Sequence, residues 1–456
     1  MISKNQVFLL ISVIAGATGF ILFILFSGSF NIRSIPSTQQ NGPSLQGNYK
    51  KDLKIELVTE GLSFPTSISF VDDDKILVLE KNTGLVRLIS DVVLQEKPVL
   101  KLAVDTKAER GLLGIAVLHN SNNNNSGMTN DSYNHIRNKL DTGHAGPRSS
   151  ANTTNVFLYF TESNNKSNNI VNDQQFRNRI YKYDWNGQTL ANPALILDLP
   201  AIPGPYHNGG KLMIGPDHYL YTVIGDLAGP KTQSQNNKTG PPIDGTGGIL
   251  RVTQDGKSVS DPPLGNRYPL NLYYAYGIRN SFGITFDPVK GKLWDTENGE
   301  DKYDEINVLK PGFNSGWAKI MGPLSRNNNS NSSKGELVNL PGSYYSNPVF
   351  SWYRSIGVTD IEFLKSSKLG EKYKNNIFVD DINNGNLYYF QLNDTRTGLK
   401  FNSSELKDIV ADNNNELFEI TFASGFKRIT DIETGRYGYL YILSYLDWKL
   451  YRIVPN

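Results

Sequence analysis

Six stretches of the chain begin alike, and this recurrence limits the possible folds more than any other feature. FPTSISF from Phe64, ERGLLGIAV from Glu109, HNGGKLMIG from His207, RNSFGITF from Arg279, IGVTDIEF from Ile356 and KRITDIET from Lys427 each pass from a small or polar cluster into an alternating apolar run. A second run follows in several units, as in KILVLE from Lys75, YLYTVIGD from Tyr219 and YLYILS from Tyr439, and a third often closes the unit, as in GILRVTQDG and KLYRIV. Short alternating segments at even spacing, punctuated by Gly and Asp, predict strands in a closed or radial all-β architecture. Six units predict a six-bladed β-propeller over residues 54–456. The later units lie roughly seventy residues apart, wider than the 40–50 of the common propeller repeats. The excess falls in loops, the largest an Asn-rich polar insert at about 119–155, read as a flexible surface loop in which His135 and His144 are solvated.

Charge and composition remove several function classes. Lys and Arg number 46 against 44 Asp and Glu, and both signs are scattered, so no basic patch exists to hold nucleic acid or another polyanion. The chain has no cysteine, which excludes disulfides, thiolate metal sites, a Cys nucleophile and a covalent haem motif. Residues 7–26, VFLLISVIAGATGFILFILF, are uncharged and about as long as a bilayer-crossing helix requires. Residues 1–27 are therefore expected to form a cytoplasmic stub and transmembrane signal anchor, and the polar residues 28–53 a flexible linker. The chosen orientation puts the propeller on the extracytoplasmic side, anchored to the membrane through that helix. Asn-x-Ser/Thr sites at Asn130, Asn152, Asn165, Asn237, Asn328, Asn331, Asn393 and Asn402 agree with an exported glycoprotein.

In a propeller the loops entering the innermost strands gather at one mouth. Those loops carry Glu109 and Arg110; Tyr206, His207 and Asn208; Arg279 and Asn280; Arg354; Asn383 and Asn384; and Arg428. One imidazole among several cations in a concave polar site suits an anionic ligand.

YHNGGKLMIGPDHYLYTVIGD from Tyr206, GIRNSFGITFDP from Gly277, ENGEDKYDEIN from Glu297 with the following GFNSGW, and ERGLLGIA from Glu109 resemble the quinoprotein glucose/sorbosone dehydrogenases, soluble aldose sugar dehydrogenases that use pyrroloquinoline quinone (PQQ). The resemblance runs in order from about residue 54 to the end. It implies oxidation of an aldose to its lactone with PQQ and calcium, electrons leaving to an external acceptor. His207 would be the general base and Arg279 the cation beside the quinone, with Glu109, Asn208, Asn280, Asn383 and Arg428 as further cofactor contacts. The carbonyls of Gly299 and Glu300 would hold the catalytic calcium, and Asp304 and Glu305 match positions assigned to a structural calcium. Four positions depart from the pattern. Glu109 stands where glucose-oxidising members of the family have Gln. Tyr206 replaces an Asp beside the base, Asn383 a Lys and Thr430 an Arg, with Lys211, Arg354 or Lys427 as cations that could compensate. A non-catalytic binding propeller and a calcium-dependent lactonase-like hydrolase are the rival readings, since a fold alone does not choose a chemistry.

Overall fold

The apolar runs become strands buried on both faces. In the computed structural model, which describes residues 42–119, 154–163, 176–326, 334–401 and 403–456, the strands assemble into six mainly antiparallel sheets. Their inner strands are Pro65–Phe70, Leu112–His119, Leu212–Ile214, Gly283–Phe286, Val358–Phe363 and Ile429–Thr434, one from each of the six recurring segments. Each inner strand packs against that of the next sheet, and the last packs against the first. The architecture is an all-β propeller. Uninterrupted burial along Leu220–Ile224, Leu293–Glu297, Ile377–Asp381 and Leu440–Ser444 follows from position, because these strands are sandwiched between neighbouring sheets. Between the fourth and fifth sheets Trp294 is fully buried with its ring edge-on to Phe363 at 5.9 Å. Deleting a ring so placed costs about 3–5 kcal/mol.

The N-terminal part completes two sheets made late in the chain. Leu53–Glu60 pairs antiparallel with Lys449–Pro455 as the outermost strand of the last sheet. Ser44–Leu45 pairs with Thr421–Ser424 in the sheet before it, and Leu45 is 3% exposed. The folded unit therefore starts earlier than the expected boundary at 54, because one buried leucine anchors part of what composition marks as linker. The apolar segment 7–26 and residues 120–153 of the polar insert lie outside the described residues. Among the described residues no helix is long and apolar enough to cross a membrane.

Polar side chains on the inner strands meet across the axis. Lys211 Nζ reaches Asp360 at 2.7 Å and Asp431 at 2.6 Å, tying the third, fifth and sixth sheets together. Burial works against the ammonium, but the carboxylates around it raise its pKa well above the usual value. Lys211 is thus committed to the axis and is not a cation that could compensate at the mouth.

Candidate functional site at the mouth

The loops preceding the second, third and fourth inner strands converge on one carboxylate. Glu109 Oε2 accepts from the backbone N–H of His207 at 2.6 Å and of Asn208 at 3.3 Å, and from Asn280 Nδ2 at 3.3 Å. Burial pushes the Glu109 carboxyl up, while the neighbouring His207 and these donors pull it down. Close packing of the His207 loop depends on glycine. Gly209 and Gly210 have φ of 63° and 114°, and a Cβ on Gly114 in the adjacent inner strand would lie 1.9 Å from the Gly210 carbonyl oxygen.

His207 itself has a left-handed backbone, φ 59°, and directs Nδ1 to Asp226 Oδ1 at 2.5 Å. Asp226 also accepts from Trp317 Nε1 at 2.8 Å, from the Ala228 N–H at 2.9 Å and from the Lys231 ammonium. Burial alone would raise this carboxyl. The hydrogen bonds from His207 and Lys231 overcome that and hold it well below the usual range. The Trp317 ring is flanked by two cations, Lys231 at 4.8 Å and Arg279 at 5.5 Å from its centroid. Tyr206 therefore does not leave His207 without a carboxylate: Asp226, two residues beyond the strand Leu220–Ile224 of the same sheet, supplies it. Asp226, Lys231 and Trp317 went unassigned in the sequence, although VIGD and GFNSGW were both part of the resembling motifs.

Arg279 and Asn280 form the wall beside His207. The Arg279 N–H donates to Glu297 Oε1 at 2.7 Å and its Nη1 to the Asn298 carbonyl at 3.3 Å. Arg279 Nε and Asn280 Oδ1 are buried without a partner among the described residues. A buried unpartnered donor and acceptor side by side cost free energy that a polar ligand would recover. Asn208, by contrast, uses its amide inside the fold, donating to the Pro205 carbonyl at 2.9 Å and accepting from Asn178 at 3.0 Å.

The acidic loop divides by role. Gly299 is required by space, since a Cβ there would lie 1.9 Å from the Lys302 carbonyl oxygen. No donor among the described residues is seen at the Gly299 and Glu300 carbonyls, which leaves these hard oxygens available to a cation. Asp304 is filled by the fold: Oδ1 accepts from the Gly299 N–H at 2.9 Å, and Oδ2 from those of Ile356, Gly357 and Val358 at 2.7, 2.7 and 3.4 Å. Four donors use about all the lone-pair positions a carboxylate has, so Asp304 fits a clamp between loops better than a calcium ligand. Glu305 accepts from the Gly322 N–H at 2.5 Å and is buried with Glu297 and Asp295. Burial and mutual repulsion push the Glu305 and Asp295 carboxyls well up, and burial brings Glu297 to about 7. Neither Asp295 oxygen has a partner at normal hydrogen-bond geometry among the described residues, although the neighbouring Asn307 side chain pulls its carboxyl down. Among the described residues, no three His, Cys, Asp or Glu side chains are arranged as a metal cage.

Across the mouth, Asn383, Arg354, Lys427 and Arg428 are exposed. Thr430 is turned into the structure, its hydroxyl donating to the Pro65 carbonyl at 2.9 Å.

Fold and site together define a propeller whose polar mouth presents an imidazole oriented by a buried carboxylate, next to an arginine. The sequence profile of the Glucose / Sorbosone dehydrogenase family matches residues 62–452, and the chain belongs to that family. It is 26% identical to quinoprotein glucose dehydrogenase B of Acinetobacter calcoaceticus over 284 residues, 59% of this chain and 52% of that protein. Over 251 residues it is 26% identical to the aldose sugar dehydrogenase YliI of Escherichia coli, 54% of this chain and 59% of that one. The chain thus spans between half and six-tenths of these two relatives. An uncharacterised Synechocystis protein matches more widely, 24% over 413 residues, 86% of this chain and 84% of that one. The PQQ-bound aldose sugar dehydrogenase of Streptomyces coelicolor shares the fold at TM-score 0.58 and 20% identity, covering 91% of this chain and all of that one.

Proposed function

We propose that the chain is a six-bladed quinoprotein sugar dehydrogenase that oxidises an aldose to its lactone, with PQQ and calcium, and passes the electrons to an external acceptor. The observation that carries this reading is the 2.5 Å contact between His207 Nδ1 and Asp226. A proton shared there leaves Nε2 as the basic nitrogen facing the mouth, the state a general base needs. His207 Nε2 takes the proton from the anomeric hydroxyl. Asp226, neutralised in part by Lys231 and fixed by Trp317, stabilises the imidazolium that results. Glu109 holds the His207 backbone in place, and Arg279 keeps positive charge where negative charge develops. PQQ, when bound, supplies the two-electron acceptor for the hydride that leaves the anomeric carbon, and calcium supplies Lewis acidity beside it. The unpartnered Arg279 Nε and Asn280 Oδ1 fit a polar cofactor against that wall. The carbonyls of Gly299 and Glu300 fit a hard cation, and Glu305 beside Asp295 would offer oxygens to a second one. Residues 7–26 would anchor the domain on the extracytoplasmic side of a membrane.

A second reading, a non-catalytic binding propeller, is favoured by one observation. Lys211 is taken up by Asp360 and Asp431, so it does not replace the cations absent at Asn383 and Thr430. Reconstitution of the protein with PQQ and calcium, followed by desalting and dye-reduction assays against a panel of aldoses, decides between the two. Retained quinone absorbance with turnover of at least one aldose is expected; loss of all quinone on desalting leaves the binding propeller.

A further inference from the structure

The rim of the mouth between the first and last sheets carries aromatic surface that the proposed chemistry leaves unused. Phe64 stands immediately before its inner strand, with its ring 5.4 Å from Tyr445 and 5.7 Å from Trp448. Trp448 and Leu446 are each 43% exposed. Clustered exposed apolar groups mark contact surfaces more often than isolated ones do. The backbone points the same way: Phe64, Arg428 and Trp448 have φ of 47°, 66° and 61°, strain that bulky residues accept where the surroundings hold them in place.

This patch is continuous with the mouth. The Tyr445 N–H donates to the Arg428 carbonyl at 2.7 Å and that of Leu446 to the Lys427 carbonyl at 2.9 Å. On the other side the Phe64 carbonyl accepts from the Lys81 N–H at 3.0 Å, and the Lys81 carbonyl from Leu112, three residues beyond Glu109. Lys427 and Arg428 add exposed donors along the edge.

We propose that the patch is a second sugar subsite, in which Trp448 and Phe64 stack the ring next to the one being oxidised while Lys427 and Arg428 bond its hydroxyls. The preferred substrate is then a disaccharide or longer aldose. The proposal rests on the reading that the mouth takes a sugar. A pyranose presents a face of C–H groups bordered by hydroxyls, so it needs a flat apolar surface with donors around it. The floor at His207, Asp226 and Arg279 is polar, and the apolar share of recognition falls to the rim.

Trp448→Gly removes the ring and suits the left-handed backbone, so folding is retained. In the protein reconstituted with PQQ and calcium, the ratio of kcat/KM for cellobiose to that for glucose should fall about tenfold through KM, and Trp448→Phe should keep most of it. An unchanged ratio in a Trp448→Gly variant that still folds overturns the subsite. Methyl β-cellobioside has no free anomeric hydroxyl, and its titration against tryptophan fluorescence tests binding without turnover. A saturable change in the wild type, lost in Trp448→Gly, supports the subsite even if no aldose is oxidised, in which case only the oxidation reading falls. Cellobiose turnover without that change, or a change that persists in Trp448→Gly, overturns the subsite and leaves the oxidation reading standing.

Discussion

Two buried aspartates at the mouth, Asp226 and Asp304, are each surrounded by donors and do different work. Asp304 accepts four backbone N–H groups from two loops. None of those donors can change its charge, so the arrangement fixes the chain. Asp226 accepts mostly from side chains, an imidazole, an ammonium and an indole. Two of these can lose a proton. A carboxylate filled by peptide groups holds geometry, whereas one filled by titratable side chains sets where a proton resides. The acidic loop 297–305 is the more heavily charged region, yet its buried carboxylates Glu297, Asp304 and Glu305 are engaged by backbone N–H groups, and Glu300, Asp301 and Lys302 are exposed. The sparser segment from His207 to Lys231 is where the proposed proton chemistry would lie.

The contrast can be broken most forcefully at Asp226. Asp226→Asn should lower kcat by roughly 10²–10⁴-fold with the fold and quinone retention intact, because the amide no longer fixes the tautomer or stabilises the imidazolium. Near-normal turnover in the folded variant would make Asp226 another scaffold group. Asp304→Ala should act on stability instead, on the order of 3–5 kcal/mol by urea unfolding, since it strands several buried N–H groups; an unmoved midpoint would remove the clamp. Trp317→Phe keeps a ring beside Lys231 and Arg279 but deletes the donor to Asp226, and a loss of about 1 kcal/mol, roughly fivefold in kcat, is expected.

The smallest effect concerns pH. Burial, then the charges of Glu362 and Asp431, push the Glu433 carboxyl on the channel from 4.5 up to about 8. The folded state therefore holds this proton more tightly than the unfolded chain does. Its contribution is complete below about pH 4.5 and is lost as pH rises through about 8, lowering Tm by a few degrees between pH 5 and 9. Glu433→Gln should flatten that slope. Asp226, with its carboxyl held low, contributes in the opposite sense: its share is present at neutral pH and disappears on acidification.

The strands were legible because their signals are local: apolar runs such as KILVLE and YLYILS, with Gly or Asp at the turns, need no distant partner to be recognised. The convergence of Glu109, His207, Arg279 and Asn280 was legible for a related reason, since each stands at the same place in its unit. Asp226 was hidden because its pairing depends on a middle strand returning to the mouth, and one Asp after a strand looks like any turn residue. Asp304 was misleading in the opposite way, for a carboxylate reads alike whether cations or peptide N–H groups will meet it. Lys211 read as a free cation because Asp360 and Asp431 lie in sheets far along the chain. The role of Ser44–Leu45 could not be read at all, as two residues carry no period.

The pairing of Leu53–Glu60 with Lys449–Pro455 has a consequence for biogenesis. A ribosome emits Leu53–Glu60 long before Lys449–Pro455, so the early strand waits unpartnered while the intervening sheets are made. The ring can close only once Lys449–Pro455 has left the ribosome, and until then an unpaired strand edge is exposed to chaperones or to neighbouring nascent chains.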